Sequence, residues 1–265
     1  MYVRREAVFS SQIEGTQSTL EDVLNFELDP LTQALPVDVE EVVNYVRAMN
    51  YGLERLGTLP LSLRLIREIH SELLRDGRGA DKHPGEFRTT QNWIGSANAP
   101  ITHATFVPPP SSELPDLLAN LESFLHGQDT LPALIRCGLA HVQFETLHPF
   151  LDGNGRVGRL LITFLLVHQG VLHRPLLYLS YYLKRHRTEY YDRLMAVREE
   201  GNWEGWLRFF LRGIVETAEE ATSTAQAIVR LREVHREKIQ EQSLGMSGLR
   251  LLICSFNGRS SISSL

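Results

Sequence analysis

Cysteine is scarce. Cys137 and Cys254 are the only two in 265 residues, and a pair so far apart makes neither a disulfide framework nor a zinc-ligand pair. No run approaches the roughly 18 apolar residues that a membrane span requires. The first residues, MYVRREAVFSSQIEG, lack an apolar core followed by a small-residue cleavage site. These absences make a cytoplasmic, reducing location the expectation, with no membrane partner. Positive charge is also short: 27 Lys and Arg stand against 32 Asp and Glu, a formal net charge of −5, which argues against a general nucleic-acid binder. A strand-helix-strand rhythm and internal repeats are missing as well.

What the chain has in quantity is helical periodicity. Val39, Val42, Val46, Met49, Leu53 and Leu56 recur at steps of three and four, with Asp38 and Glu41 as a start signal. Leu63, Ile66, His70, Leu73 and Leu74 repeat the pattern, as do Leu114, Leu117, Leu121, Phe124 and Leu125. Further helices are expected over about 131–147, 156–169, 187–198 and 203–240. The class is therefore all-α, and 265 residues, 43% of them hydrophobic, suffice for one sizeable core plus an appendage, or for two small domains.

One stretch breaks the pattern. GEFRTTQNWIGSANAPITHATFVPPP, residues 85–110, is rich in Thr, Trp, Phe and Val around a Gly/Ser/Asn/Pro cluster and ends on three prolines. It reads as a β-hairpin on a helical body, either a flap over a site or an edge offered to a peptide, or a surface loop without such a role. From Ser243 onward the tail is Ser/Gly-rich around a single apolar run.

Near the start, SSQIEGT, residues 10–16, reads as the end of a short helix closed by Gly15. Glu14 stands in its last turn, where the helix dipole favours a cation and disfavours an acid. By itself this reads as a solvated surface carboxylate that tolerates a small penalty; a cation elsewhere in the chain would change that reading.

The chemistry concentrates in HPFLDGNGRVGR, residues 148–159. The glycines form a loop between two helices, and its N–H groups, with the N-terminus of the helix that follows, make an anion site. Arg156 and Arg159, three apart, share one face of the first turn and add two forks suited to phosphate. Asp152 is a hard oxygen donor, and one carboxylate plus substrate phosphates is the usual way to hold Mg²⁺. His148 can accept a proton near neutral pH. The set reads as a site for a Mg²⁺-bound polyphosphate beside a general base. Gly153, Gly155 and Gly158 match G-x-G-x-x-G, but a helix and not a strand precedes them, which disfavours a dinucleotide fold. No Gly-Lys-Ser/Thr follows, so a Walker A loop fails. Glu145 and His148 form one Glu-x-x-His, but the second copy that a di-metal bundle needs is missing, so His141 and Glu145 read as supporting or core polar residues.

HPFLDGNGRVGR resembles the H-x-F-x-[DE]-G-N-G-R-x-x-R signature of Fic-domain proteins. RREAVFSSQIEGTQSTLEDVL is similar to the N-terminal segment of many of them, PGEFRTTQNWIG and ATFVPPP to the sides of their flap, and EYYDRLMAVREEGNW to their nucleoside-side helix. The resemblance covers about residues 1–240. It implies a Fic-type helical bundle with a small β-hairpin flap. The implied segments are an inhibitory helix segment over 1–35, a catalytic domain over 36–240 with its flap at about 85–110, and a tail over 241–265 similar to the beginning of a winged-helix domain.

The same resemblance implies a protein adenylyltransferase. His148 would take the proton of a Ser, Thr or Tyr hydroxyl, which attacks the α-phosphate of ATP and releases pyrophosphate. Asp152 would bind Mg²⁺; Gly153, Asn154, Gly155 and Arg156 would form the anion hole; Arg159 would hold the γ-phosphate; Tyr190 and Tyr191 are candidates for the nucleoside side. Phe150 would anchor the loop. Ser10, Glu14 and Gly15 fit the inhibitory pattern [ST]-x-x-x-E-[GN], with Glu14 paired to Arg159. The partners implied are ATP and a target protein aligned by the flap, a second copy of this chain included, and a homodimer stays open. Removal of AMP, another donor such as UTP or a phosphocholine donor, and a non-catalytic ATP-binding module stay open as alternatives.

Overall fold

The apolar residues of NGRVGRLLITFLLVH leave no polar face, and a helix of that kind must be enclosed on all sides. In the computed structural model this helix, Asn154–His168, is the centre of the fold: Val157, Leu160, Leu161, Ile162, Phe164, Leu165 and Leu166 are all buried. The structure describes residues 2–28, 37–95, 100–127 and 130–241. Among them run ten α-helices: α1 Tyr2–Ile13, α2 Leu20–Leu28, α3 Val37–Arg55, α4 Leu63–Leu73, α5 Leu114–His126, α6 Ala133–Leu147, α7 Asn154–His168, α8 Leu179–Arg185, α9 Arg187–Glu200 and α10 Trp203–Glu241. The fold is all-α, as expected. The periodic segments became helices within about two residues of their predicted ends, while α2 and α8 are helices that the sequence pattern did not single out. No helix among the described residues is long and apolar enough to cross a membrane.

The chain divides into two units, residues 1–217 and 218–265. The site lies wholly in the first. In the second, the described residues 218–241 are helical, and the greater part of the tail considered above, 242–265, lies outside the described residues.

α7 packs against α1, α3, α4 and α6, so the loop that feeds it is surrounded by fixed elements. Helix α1 is tied down by a buried carboxylate. Glu6 accepts from the Ser180 backbone N–H (3.0 Å) and hydroxyl (2.5 Å) on α8, and from the Tyr45 hydroxyl (3.3 Å) on α3. Burial raises its carboxyl above the usual range, against the lowering effect of the Ser180 bonds. Three donors satisfy a group that would be costly to bury alone.

The expected hairpin is much reduced. Among the described residues its arms meet in one antiparallel bridge, Ile94 to Phe106, with no extended ladder; the turn at 96–99 lies outside the described residues. Prolines 108–110 supply no N–H and cannot continue a ladder. Side chains replace it: Gln91 Nε2 donates to the Pro108 carbonyl at 2.9 Å, Arg88 Nη2 to that of Pro109 at 2.6 Å, and the Ser111 hydroxyl to that of Thr89 at 2.9 Å.

Candidate active site

His148 closes α6 as its C-cap in the left-handed conformation (φ 46°, ψ 59°), a shape that a non-glycine residue holds only when its surroundings enforce it. The enforcement is visible. Arg88, buried in the flap base, donates from Nε to the His148 carbonyl (3.0 Å) and from Nη2 to that of Leu147 (3.3 Å), and Asn92 Nδ2 reaches the His148 carbonyl at 3.2 Å. Burial, and then the charge of Arg198, lower the His148 imidazole to about 4. It is therefore neutral at physiological pH and able to take a proton.

Residues 149–153 bend back toward the core. Phe150 is fully buried and lies flat on the His70 ring, centroids 3.7 Å apart. Asn154 clamps the bend, accepting the Phe150 N–H and donating to the Phe150 carbonyl, both at 2.8 Å. His70 closes it from the other side. Its Nδ1 accepts the Gly85 N–H (2.8 Å), so the proton is on Nε2, which donates to the Asp152 carbonyl at 3.0 Å.

Gly153 caps α7 at φ 76°, where a side chain would strain the backbone. The first intrahelical bond runs from the Val157 N–H to the Gly153 carbonyl, so the N–H groups of Asn154, Gly155 and Arg156 precede it and point toward an anion. The Gly153 N–H is already taken by the Asp152 carboxylate at 2.5 Å. These groups surround a cavity of about 150 Å³, lined also by Glu14, Glu41, Arg78, His148 and Leu151. Arg156 is buried, with Nε and Nη1 lacking hydrogen-bond partners. Its nearest carboxylates, Glu41 and Asp152, both stand at 3.7 Å.

Arg159 points the other way, toward α1. Its side chain is 1% exposed; Nε donates to the Ser10 hydroxyl (2.8 Å), and Nη2 donates to the Ser10 carbonyl (3.1 Å) and the Glu14 carboxylate (2.6 Å). Burial works against charge on both partners. It is outweighed by their mutual attraction, so Arg159 is raised and the Glu14 carboxyl is net lowered, with Arg156 adding to the latter. Gly155 lies directly under this pair, and a Cβ there would strike Glu14 Oε1. Gly15 ends the helix at φ 101°.

The structure thus brings Ser10, Glu14, Gly15, His148, Asp152, Gly153, Asn154, Gly155, Arg156 and Arg159 into one region. Tyr190 and Tyr191 do not line the cavity. Tyr190 is buried with its hydroxyl donating to His141 Nε2 at 2.9 Å, while Tyr191 is partly exposed against it, ring centroids 5.1 Å apart. Glu145 Oε1 is buried without a partner, and burial raises its carboxyl to about 7. Among the described residues no group of three or more His, Cys, Asp and Glu is placed to hold a metal. One hard carboxylate beside an anion loop does suit a cation that arrives with phosphates. Sequence reasoning missed Glu41, His70, Arg78, Arg88 and Asn92 as parts of the site. The apolar spacing at His70, a start signal at Glu41 and the 85–110 stretch that holds Arg88 and Asn92 marked four of them, without a role for any; nothing marked Arg78.

Comparison with known proteins gives the family and the fold. The chain matches the Fic/DOC family over residues 60–166 and the Fic/DOC family N-terminal region over residues 1–54. It is 30% identical over 227 residues to the protein adenylyltransferase Fic of Drosophila grimshawi, covering 82% of this chain and 42% of that protein. It is 31% identical over 161 residues to the protein of the same name from Culex quinquefasciatus, covering 60% of this chain and 28% of the relative. The chain therefore spans less than half the length of these relatives. A crystal structure of a Fic family protein from Desulfovibrio desulfuricans G20 superposes with a TM-score of 0.71 at 24% identity, covering 84% of this chain and 66% of that one.

Proposed function

This chain belongs to the Fic/DOC family, and on that premise we propose that it is an autoinhibited protein adenylyltransferase, transferring AMP from ATP to a hydroxyl side chain of a target protein. The observation that supports this best is the buried Arg156, with two unpartnered donor atoms, beside the helix N-terminus in a cavity that His148 and Asp152 also face. Those donors and that helix end call for a multiply charged anion.

The target hydroxyl, aligned along the flap, gives its proton to the neutral His148 imidazole as its oxygen attacks the α-phosphorus. The bond from that phosphorus to the bridging oxygen breaks, and pyrophosphate leaves. The N–H groups of Asn154, Gly155 and Arg156 and the Arg156 guanidinium hold the phosphate oxygens. The Asn154 side chain, committed to Phe150, keeps the loop in shape. Asp152 would hold Mg²⁺ together with the phosphates, the ion offsetting charge on their oxygens. Arg159 would grip the γ-phosphate once free of Glu14.

Autoinhibition follows from occupancy. A cavity of about 150 Å³ has room for a phosphate chain and falls short of the roughly 300 Å³ and more of ordinary ligand pockets. Glu14 takes both the space and the cation, leaving ATP misaligned for in-line attack.

The test compares wild type, Glu14→Gly and His148→Ala with Mg²⁺, α-labelled ATP and a cell lysate as target source, with γ-labelled ATP as control. The expected result is α-label on protein, strong for Glu14→Gly and absent for His148→Ala. Absence of α-label from all three overturns the reading and favours another donor, AMP removal or a nucleotide-binding module.

A further inference from the structure

Between α4 and the flap, residues 75–84 form a loop that the reading above leaves without a role. It is held at both ends. Asn44 Nδ2 on α3 donates to the Arg75 carbonyl at 2.6 Å, and the Gly85 N–H donates to His70, the residue that also holds the Asp152 carbonyl. Its centre is pressed onto the catalytic loop. Gly79, at φ 89°, is so near Asp152 that a Cβ there would lie 2.9 Å from Oδ2. A loop clamped and closed down in this way presents the side chain before that glycine, Arg78, to the cavity it lines.

Arg78 is weakly held where it stands. Its neighbouring carboxylate is Glu41, with Nη1 to Oε1 at 3.7 Å, outside hydrogen-bond reach. Glu41 is itself 3% exposed, accepts the Thr16 hydroxyl on Oε2 at 2.8 Å, and has Arg156 Nη1 3.7 Å from the same oxygen. Two guanidiniums therefore form loose ion pairs with one buried carboxylate, neither close enough for a hydrogen bond, and Arg156 keeps two buried donor atoms without hydrogen-bond partners. Donors arranged so converge on a ligand with more acceptor oxygens than Glu41 supplies. Arg159 is committed to Ser10 and Glu14.

We infer that Arg78 is a further polyphosphate ligand, parked by Glu41 and contributed by the 75–84 loop, which binds the terminal phosphates of the nucleotide and then the leaving pyrophosphate. The inference rests on the proposed adenylyltransferase reading and deepens it. The class of ligand is a nucleoside triphosphate or inorganic pyrophosphate, and a nucleoside monophosphate lacks the groups that Arg78 reaches. At 61% side-chain exposure, Arg78 has no packing role whose loss would disturb the fold.

Isothermal titration calorimetry with the full chain tests this. Glu14→Gly and Glu14→Gly/Arg78→Ala are titrated with ATP, AMP and inorganic pyrophosphate in Mg²⁺, after melting curves establish that both are equally folded. The expected result is about a tenfold or greater loss of affinity for ATP and pyrophosphate in the Arg78 variant, with AMP unchanged and Arg78→Lys recovering part of the loss. Equal ATP binding by the two proteins overturns the inference alone. So does equal ATP binding with reduced protein labelling, which would assign Arg78 to the target. No ATP binding by Glu14→Gly overturns the adenylyltransferase reading, and this inference with it.

Discussion

Arg159 and Glu14, 145 positions apart in the chain, meet at 2.6 Å between Nη2 and Oε1. The pair joins the turn that follows α1 to α7, the helix that begins at Asn154. Ser10 completes the grip, its hydroxyl accepting the Arg159 Nε at 2.8 Å.

Ser10→Ala leaves that Nε buried without an acceptor, at a cost of about 1–3 kcal/mol. The hold of α1 on Arg159 weakens while the Glu14 bond remains. Initial rates of α-label transfer are expected to fall between wild type and Glu14→Gly, and the melting temperature to drop below wild type.

The proposed proton transfer to His148 carries a defined pH dependence. Burial lowers its pKa to about 4, so the neutral base is present above that value and lost only as pH falls through it. The kcat/KM of Glu14→Gly is expected to show no acid limb near 6.5, the ordinary histidine value, and to hold down to about pH 5. Circular dichroism at each pH separates this limb from unfolding.

Arg88 positions His148 through backbone carbonyls. It donates to those of His148, Leu147, Thr90 and Pro109, so Arg88→Ala releases both the left-handed cap and the flap base. In the Glu14→Gly background kcat should fall by roughly ten- to a hundredfold, the cost of a misplaced reacting group. The KM for ATP should change less, since Arg88 does not line the cavity beside the α7 N-terminus.

Glu145 gives a stability signature with the opposite sign to an ordinary carboxylate. Burial raises its folded pKa to about 7 from 4.5, so the native state holds the proton more tightly. Its contribution is fully present below pH 4.5, is lost as pH rises through about 7, and is flat above. Glu145→Gln cannot ionise, and should exceed wild type in stability at pH 8 by a few kcal/mol while differing little at pH 5. Urea denaturation of both proteins at the two pH values measures this.

How much of this was readable beforehand depends on the range of each interaction. The apolar period placed α3–α7, α9 and α10 because a helix buries one face wherever it packs, so the spacing is local information. Helix α8, LSYYLKR, spans only two turns and has too few residues to display a period. The flap resisted for another reason. Its composition favours strands, but prolines without N–H groups leave its arms joined by one bridge and by side chains reaching carbonyls.

The sequence by itself determined the helical class and set His148, Asp152, the glycine loop and Arg156 within one contiguous stretch, since residues that share a loop and the first turn after it are neighbours in any fold. It also marked Glu14 as an acid placed against its helix dipole. Tertiary structure alone decided which way each arginine faces. Arg159 turns to Ser10 and Glu14, while Arg156, three residues earlier, turns to the cavity with Glu41 and Asp152 at its edge. It likewise decided that Glu41, His70, Arg78 and Arg88, from α3, α4, a loop and the flap, stand around that stretch. No local pattern encodes those approaches, because they arise when helices with separately buried faces share one core and their remaining polar groups must find partners where the packing leaves them.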